Sequence, residues 1–594
     1  MKRFFVIVSV LIITLALVGC SGGNKANNNS NRYEGEVREV DVVIVGAGGA
    51  GLSAAWEVGK AGKNVLIIEK NAMIGGNTAF AGSAANAADP AFAKQLYESG
   101  LMAKMTDDER ANVIRFRDWG LADTNPIVRK WGEAVRDSYA LHPAGDTYLY
   151  DSPELHALHT YFGGGTYSAA RTDSNGGGLG KPEFLDYYAQ NALPTLQWLG
   201  ELGGFTWNTK WVTTRLPAAV GATWRRSHST AVTTPSSGAG FYIPIANEIN
   251  NMQNAKIELE WRADTLITDP NGGRVVAVSG LKPNGDRFTV KAKAIMLATG
   301  GFGRNANMLQ AQNVASGYFW PVNFVTGGPN GSPYPTTNIA GITGDGLVMA
   351  MNIGAGTYGL EFIQMVSTYG SVREGGATDR MIMVNTEGRR YVREDGRRDI
   401  LARAALLNNP HPTLNVSAAY HTPGLGGAFG IQDGHTVEEL AGARTFDSAW
   451  VAAAPAPNTR FVADTLPELL TQLTNAFGAT FATNVQASIN QHNNIYDGRI
   501  SCPFGRQVMS NRLDKGPWVV AWGSPWHHHV MGGLNTNFDM QVLQRETGNP
   551  IAGLYAAGEV IGGIHGENRL GGNAVTDVLV FGRRAGQRML ALEF

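Results

Sequence analysis

Three stretches of the chain carry side chains that could take part in chemistry. The first is His527-His528-His529, whose imidazoles could bind a substrate anion, serve a structural role or hold a metal. A metal site is the weakest of these interpretations, because consecutive residues of an extended chain point to opposite faces and no carboxylate follows at ligand spacing. The second stretch is Arg569 in HGENRLGG, and the third is the arginine-rich segment 385–398.

The two arginine-containing stretches differ in how their charges could be used. The planar guanidinium of Arg569 could hold a carboxylate through two parallel hydrogen bonds and so polarise an attached C=C bond. Glycines around it leave no side chains to screen it, and the alternative is a surface salt bridge. An arginine is a poor acid in water because its pKa exceeds about 12. An arginine of segment 385–398 could therefore donate a proton only in a dry site, and the alternative is a charge-rich solvated loop.

An apolar run followed by a glycine turn predicts the element around which these residues are arranged. Residues 40–45 are rich in β-branched side chains, as expected of a strand buried on both faces of a parallel sheet. The sequence GxGxxG follows, with Gly46, Gly48 and Gly51. These glycines permit a tight turn, the approach of a pyrophosphate to the backbone, and close packing of a helix over about residues 50–61.

A second predicted strand, residues 64–68, completes the unit and ends at Glu69, eighteen residues after Gly51. A carboxylate at this position can accept hydrogen bonds from ribose hydroxyls. Strand, turn, helix, strand and acid all occur in order, so we predict a dinucleotide site. An α/β crossover with an empty turn is the alternative.

Composition restricts the class of protein. The chain has 594 residues, 43% of them hydrophobic, and 75 glycines, which fits a large enzyme of more than one domain. A net charge of -1 gives no support for a nucleic-acid partner. Cys20 and Cys502 are its two cysteines, so it lacks a CxxCH haem site and the ligands of an iron–sulfur cluster. Redox chemistry would need an organic cofactor and electrons from another molecule.

The N-terminal segment predicts export. Residues 1–19 are interpreted as a signal peptide, because two basic residues precede an apolar run too short to span a membrane comfortably. Leu17-Val18-Gly19-Cys20 resembles a bacterial lipobox, which implies lipidation of Cys20 and an extracytoplasmic, lipid-anchored protein. An ordinary signal peptide with an incidental cysteine is the alternative. Residues 20–38 are predicted to be a disordered tether.

The segment after Glu69 points to a family. GGNTAFAGSAANAADP, at residues 75–90, resembles the flavoproteins of the fumarate reductase and succinate dehydrogenase superfamily, particularly the soluble secreted branch that includes fumarate and urocanate reductases. Residues 294–304, 344–346 and 553–586 resemble the same family, whereas 91–180 and 401–517 match poorly. The resemblance implies FAD rather than NAD.

The resemblance also implies which residues contact FAD. The N-terminus of a helix at about residues 571–575 would face the pyrimidine edge of the flavin and stabilise its reduced form. The implied FAD-binding residues are Gly46, Gly48, Gly51, Glu69, Lys70, Gly76, Asn77, Thr78, Ala298, Thr299, Gly300, Asp345, Glu559, Gly572, Asn573, Ala574 and Val575. No metal is expected.

Catalytic roles follow from the same resemblance. It implies that His528 and Arg569 bind the substrate carboxylate while flavin N5 delivers hydride to the β-carbon. Arg398 would protonate the α-carbon, and Glu374 would resupply its proton. Arg397 is a neighbour that could be confused with Arg398.

The chain departs from the fumarate enzymes at the other end of the pocket. In EFIQMVST, Val366 stands where those enzymes have a histidine, and Arg373 stands where they have a threonine. Losing a buried hydrogen-bond donor beside a second carboxylate would cost about 1–3 kcal/mol or more. Fumarate is therefore in doubt unless Arg373 takes over. An enoate with a neutral or aromatic far end, such as a urocanate- or cinnamate-like acid, becomes the better expectation.

The expected fold class is α/β, with a Rossmann-like FAD domain at residues 39–361 and 526–594 and an inserted α+β capping domain at 362–525. Residues 91–180 either shape the substrate entrance or elaborate the surface. The expected function is an extracytoplasmic enoate reductase supplied by a separate membrane-linked cytochrome or flavoprotein. Alternatives are an enzyme like the flavin-dependent 3-ketosteroid Δ-dehydrogenases, which rely on active-site tyrosines, and a binding lipoprotein that keeps flavin only as a structural ligand.

Overall fold

A computed structural model describes most of the chain after the N-terminal segment. The described residues are 35–82, 84–164, 180–203, 207, 224–232, 234–270, 272–315, 320, 322–328, 331–368, 380–408, 426–440, 448–452, 454, 458–506, 509 and 511–594. Cys20, Arg373, Glu374 and the predicted signal peptide lie outside them. Within the described part, none of the helices has the length and apolar character that crossing a membrane requires.

Helices and strands are interspersed along the described part of the chain. The strands are β1 (Glu36–Val45), β2 (Val65–Glu69), β3 (Ala84–Asn86), β4 (Ser227–Ser229), β5 (Ala255–Leu259), β6 (Arg262–Thr268), β7 (Val275–Leu281), β8 (Arg287–Leu297), β9 (Thr357–Tyr358), β10 (Ile363–Thr368), β11 (Ile382–Val384), β12 (Ala428–Gln432), β13 (Arg460–Ala463), β14 (Trp518–Val530), β15 (Gly533–Leu534), β16 (Gln541–Leu543) and β17 (Pro550–Ala556). The helices are α1 (Gly49–Lys60), α2 (Pro90–Glu98), α3 (Asp107–Ala122), α4 (Pro126–Ala140), α5 (Pro153–Gly163), α6 (Pro182–Glu201), α7 (Ile243–Asn250), α8 (Ala306–Ala315), α9 (Asp345–Asn352), α10 (Arg398–Leu406), α11 (Gly434–Leu440), α12 (Ser448–Ala452), α13 (Leu466–Phe477), α14 (Ala479–Tyr496) and α15 (Asn573–Glu593).

The main sheet confirms the predicted α/β class. Its strand order is β16-β17-β8-β1-β2-β5, and β1, β2, β5, β8 and β17 run parallel to their neighbours within this group. Val42 to Val45 of β1 are at most 6% exposed, because strands cover both edges of β1 and helices cover the sheet. Strands β8 and β17 return to the sheet from distant parts of the sequence, so this domain is discontinuous.

Two predicted boundaries differ from the structure. Strand β1 begins at Glu36, inside the predicted tether, because Glu36 to Val40 pair with residues 288–292 of β8. In a second sheet of order β10-β14-β12-β11, with β13 also on β14, the strands pair antiparallel. Strand β14 continues through the predicted boundary at residue 526 to Val530, because β10 pairs with it that far.

The poorly matching segment 91–180 supports the N-terminal end of α15. Its described part forms α2 to α5, and His156 and His159 of α5 are fully buried. His156 Nε2 lies 3.2 Å from Asn573 Oδ1, and Thr160 Oγ1 accepts a hydrogen bond from the Asn573 side chain at 3.0 Å. These residues therefore hold the helix predicted to face the flavin.

Helices α1 and α15 pack closely because glycines face α1. A Cβ atom at Gly582 would lie 2.4 Å from the Ala50 carbonyl oxygen, and one at Gly586 would lie 2.8 Å from that of Ala54. Both helices begin at the same cavity, which is lined by Gly49 and Ala50 of α1 and by residues 574 and 575 of α15. This packing fixes the two helix N-termini relative to each other.

We expect Gly582→Leu to lower the melting temperature of the FAD-loaded protein and its FAD content. Helix propensity alone would make this change stabilising by about 1 kcal/mol. Overpacking against α1 costs about 1–3 kcal/mol and opposes it. Ala591→Leu, at an exposed position of the same helix, is the matched control. A melting temperature for Gly582→Leu equal to or above that of wild type would contradict this account of the packing.

Candidate active site

One continuous cavity of 710 Å³ runs from the glycine turn to the arginines and histidines singled out in the sequence. Most of the predicted site residues line it. They are Gly46, Gly48, Glu69, Lys70, Gly76, Asn77, Thr78, Ala298, Thr299, Gly300, Asp345, Glu559, Gly572, Ala574, Val575, Arg398, His528 and Arg569. The structure thus brings together groups as far apart in sequence as Gly46 and Val575.

Three predicted residues lie behind the cavity wall instead. Gly51 faces the turn, where a Cβ atom would lie 1.9 Å from the Gly46 carbonyl oxygen. Asn573 is fully buried, and its side chain bonds to Thr160, Asn86 and His156. Val366 is 1% exposed and does not line the cavity. Gly51 and Asn573 therefore shape the cavity through packing, without facing it.

The glycines of the turn divide their roles as the sequence predicts. Gly46 has φ +108° and would place a Cβ atom 2.3 Å from the Ala298 carbonyl oxygen, so close backbone packing requires glycine there. At Gly48 the nearest atom to an added Cβ would be the Gly75 carbonyl oxygen at 3.9 Å. The space beside Gly48 is therefore open to a ligand at the N-terminus of α1.

Hydrogen bonds and an ion pair stabilise the part of the cavity wall that includes Glu69, Lys70 and Asp345. Glu69 is 6% exposed, and its two carboxylate oxygens accept hydrogen bonds from the backbone N–H groups of Ala47 at 2.9 Å and Asn71 at 2.8 Å. Lone pairs that remain on Glu69 can accept bonds from ribose hydroxyls. Lys70 Nζ donates to Asp345 Oδ2 at 2.9 Å. Burial acts to raise the pKa of Asp345, but hydrogen bonds from Thr343 and Lys70 bring it below its ordinary value.

At the end of the cavity that is predicted to hold the flavin, α15 presents its N-terminus. Gly572 precedes the helix with φ +82°, and a Cβ atom there would lie 2.2 Å from Asn86 Oδ1. The unsatisfied N–H groups of a helix N-terminus favour negative charge. Nearby Glu559 accepts bonds from Val530 N–H at 3.2 Å and from the Asn77 side chain at 3.3 Å. Burial raises the pKa of Glu559.

A β-bulge decides which histidines face the cavity. Gln364 of β10 pairs with His529 and Met365 pairs with His527, so His528 is the extra residue of β14. His528 and His529 both line the cavity, whereas His527 is fully buried beside Thr336. Strict alternation along an extended chain, which was one argument against a metal site, does not hold at the bulge.

His528 is held in the neutral form by its surroundings. Its Nδ1 lies 2.7 Å from Thr337 Oγ1. Burial lowers the pKa of His528 well below the ordinary value, and the cations of Arg398 and Arg569 lower it further. A neutral ring whose Nδ1 accepts a hydrogen bond from the Thr337 hydroxyl carries its own proton on Nε2, from which it can donate a hydrogen bond to a carboxylate.

Two buried arginines make the far end of the cavity electropositive. Arg398 is 7% exposed and Arg569 is 3% exposed. Burial lowers the pKa of Arg569 well below its ordinary value, and the nearby Arg398 cation adds to the shift. Arg569 Nη1 donates to the Leu570 carbonyl oxygen at 3.1 Å, while its buried Nε has no hydrogen-bond partner among the described residues. An anionic ligand would offset both the desolvation and the repulsion.

The structure distinguishes Arg398 from its neighbour. Arg397 donates to both carboxylate oxygens of Asp399, at 3.0 and 2.6 Å. Arg397 does not line the cavity, whereas Arg398 does. Arg398 is the first residue of α10, so the start of that helix determines which arginine faces the cavity.

Sequence reasoning missed several lining residues. His529, Thr337, Trp526 and Arg460 line the cavity although none was predicted to do so. The position of Trp526, two residues before His528 on the same extended segment, was a usable signal. Arg460 lies in a segment that matches the family poorly, and no local pattern marks it.

Comparisons with known proteins agree with this geometry. Residues 41–106 and 149–575 match the family described as FAD binding domain, and the chain belongs to that family. The fold is similar to that of a flavocytochrome c3 fumarate reductase in its open conformation, with a TM-score of 0.57 and 22% identity over 94% of this chain and 79% of that one. FAD is therefore the cofactor, as predicted, and the glycine cradle, Glu69 and the start of α15 fit it.

Among curated relatives, the chain is 30% identical to the NADH:acrylate oxidoreductase of Vibrio harveyi, over 92% of this chain and 50% of the relative. It is 28% identical to the urocanate reductase of Eggerthella lenta, over 94% of this chain and 76% of the relative. The chain thus spans about half the length of the first relative. These matches confirm the predicted resemblance to the fumarate reductase flavoproteins, while lipidation stays a prediction.

We expect Gly48→Val to fold but to be purified with little FAD. The valine side chain would enter the space beside the start of α1, where the pyrophosphate must approach. Flavin absorbance per protein and the melting temperature without FAD separate lost binding from lost folding. Gly272→Val, on an exposed loop with no atom near its added Cβ, is the control. Full FAD occupancy in Gly48→Val would refute the assignment of the glycine turn.

Proposed function

We propose that the protein reduces the C=C bond of an α,β-unsaturated carboxylate with FAD. The observation that carries this proposal is the pair of buried arginines, with His528, at the far end of the FAD cavity. Two cations in one dry pocket suit a carboxylate, and a dry pocket is also where an arginine can act as an acid. Relatives named as acrylate, urocanate and fumarate oxidoreductases support the same chemistry.

Each of the three residues has its own role in the proposed reduction. Arg569 and His528 bind the substrate carboxylate and draw electron density from the conjugated C=C bond. Reduced FAD, when bound, supplies the hydride that the β-carbon receives. Arg398 donates a proton to the α-carbon, which balances the addition of one hydride and one proton across the double bond. Arg398 must then recover a proton from solvent, and Glu374, which lies outside the described residues, is our candidate for that path.

We further propose that the substrate has an uncharged or aromatic far end. Val366 lies behind the cavity wall and offers no hydrogen bond, and it pairs across the sheet with Trp526, which lines the cavity. A second carboxylate near Trp526 would be short of donors unless Arg460, which lines the cavity, or Arg373, outside the described residues, supplied one. A urocanate- or cinnamate-like acid fits better than fumarate.

Two other functions are weaker candidates. The fold is also similar to a 3-ketosteroid Δ4-(5α)-dehydrogenase from Rhodococcus jostii, with a TM-score of 0.56 at 21% identity. That similarity concerns the fold alone, and a steroid has no carboxylate that would need Arg398, His528 and Arg569 together. A binding protein that keeps flavin only as a structural ligand would not need an arginine at the start of α10.

The proposed location is outside the cytoplasm, with a lipid on Cys20 and a separate membrane-linked cytochrome or flavoprotein as electron donor. Support comes from the lipobox-like sequence and from the absence of haem and cluster motifs in the chain. Cys20→Ala should release or mislocalise the protein without changing its flavin spectrum, because Cys20 lies at the start of the predicted tether. Membrane fractionation and mass spectrometry of the mature N-terminus test this, and an unlipidated mature terminus elsewhere would refute it.

Substitution of the two arginines separates binding from chemistry. Arg398→Ala should slow reoxidation of the reduced flavin by the best enoate by at least about 10²-fold, the lower range for loss of a general acid. Substrate should still bind, because Arg569 and His528 remain. Arg569→Ala should weaken binding as well as turnover, because a charge-assisted contact is lost. Anaerobic stopped-flow absorbance and titration of the flavin spectrum with the saturated product acid give the two quantities.

Two further variants sharpen this test. Arg398→Lys should rescue little, because an ammonium lacks the reach and planar geometry of a guanidinium. Arg389→Ala, which changes an exposed arginine outside the cavity wall, is the control and should react nearly as wild type does. An Arg398→Ala enzyme with near-normal reduction of its best enoate would mean that the proton comes from another group.

A further inference from the structure

Helix α10 begins with Arg398 but has no side-chain cap of its own. Its N-cap residue is Arg397, whose side chain makes no capping hydrogen bond. The first N–H groups of a helix have no partners within the helix and need acceptors from elsewhere. Asp399, the second residue of α10, is 2% exposed, so water does not readily supply that acceptor.

The acceptor comes from the loop that carries Arg569. Asp399 N–H donates to Asn568 Oδ1 at 3.3 Å. Asn568 directly precedes Arg569 and lies about 170 positions away from Asp399 in the sequence. The helix that presents Arg398 is therefore capped by the residue that directly precedes Arg569, the other buried arginine of the cavity.

Asn568 is itself fixed by further contacts. It is 1% exposed, and its Nδ2 donates to the Gly163 carbonyl oxygen at the end of α5 at 3.0 Å. Gln364 Nε2 of β10 donates to Asn568 Oδ1 at 3.3 Å and to the Arg569 carbonyl oxygen at 2.8 Å. One amide thus joins α5, β10, α10 and the Arg569 loop in a site closed to water.

We propose that Asn568 is a positioning residue that sets Arg398 relative to Arg569 by capping α10 from the loop that carries Arg569. Its catalytic consequence rests on the proposed function. Loss of the cap would leave a buried N–H group without an acceptor and loosen the first turn of α10, where Arg398 lies. Carboxylate binding would persist, because Arg569 and His528 are unchanged. Misplacement of an acid by about 1 Å can cost about 10²-fold in rate.

The test compares Asn568→Leu with Asn568→Asp. Leucine has a similar size but no hydrogen-bonding atoms, whereas aspartate keeps the acceptor for Asp399 N–H and loses the donor to Gly163. We expect Asn568→Leu to slow enoate-dependent flavin reoxidation about 10²-fold, with the dissociation constant of the saturated product acid within about threefold of wild type. Asn568→Asp should recover at least about tenfold of that loss.

A second readout is independent of turnover. Hydrogen exchange followed by mass spectrometry should be faster in Asn568→Leu for a peptide that covers α10, and unchanged for a peptide from α14. The FAD content of each variant is measured first, so that lost cofactor is not mistaken for lost positioning. Asn568→Asp should restore slow exchange in α10.

Three results would overturn the inference. They are a wild-type rate in Asn568→Leu, equal impairment of the leucine and aspartate variants, and unchanged exchange in α10. If the wild-type protein reduces no enoate at all, the proposed function fails instead, and exchange in α10 alone then decides whether Asn568 caps the helix.

Discussion

The buried pair of cations formed by Arg398 and Arg569 is the constraint on which the rest of the site depends. Removing two guanidinium groups from water costs several kcal/mol each, and placing them in one cavity adds repulsion. A surface site would avoid both costs and would also lose the strength that a dry pocket gives to hydrogen bonds with a carboxylate. The folded protein must therefore stabilise a cavity that is complete only when an anion is bound.

The architecture meets this constraint by bringing three parts of the chain together. The main sheet and the close packing of α1 with α15 form the FAD cradle, and the loop before α15 carries Arg569. The second sheet supplies His528 through the bulge in β14, while α10 supplies Arg398. Because β14 leads directly from the second sheet to the loop before β15 in the FAD domain, the predicted domain boundary falls inside one strand, and movement of either part would alter the site.

Short-range sequence patterns were sufficient to predict much of this architecture. The glycine turn, the buried parallel strands and the acid at Glu69 follow from short-range patterns that allow few structures, and the resemblance supplied the positions of Arg398, His528 and Arg569. Features that depend on pairing between distant segments could not be predicted from the sequence. The extension of β1 to Glu36 requires β8, the orientation of His529 requires the register with β10, and the inward side chain of Asn573 requires α5. No pattern near Arg460 marks it as a lining residue, because its position is set by pairing of β13 with β14.

The central claim is that the cavity binds an unsaturated carboxylate against FAD for reduction. The most direct test reduces the FAD-loaded protein with dithionite under anaerobic conditions, removes the excess, and follows the return of flavin absorbance with a panel of acceptors. The account predicts rapid reoxidation by enoates, fastest with urocanate- or cinnamate-like acids and slower with fumarate, and none by their saturated counterparts. Reoxidation by steroid enones or quinones but by no enoate, or by no acceptor in the panel, would contradict it.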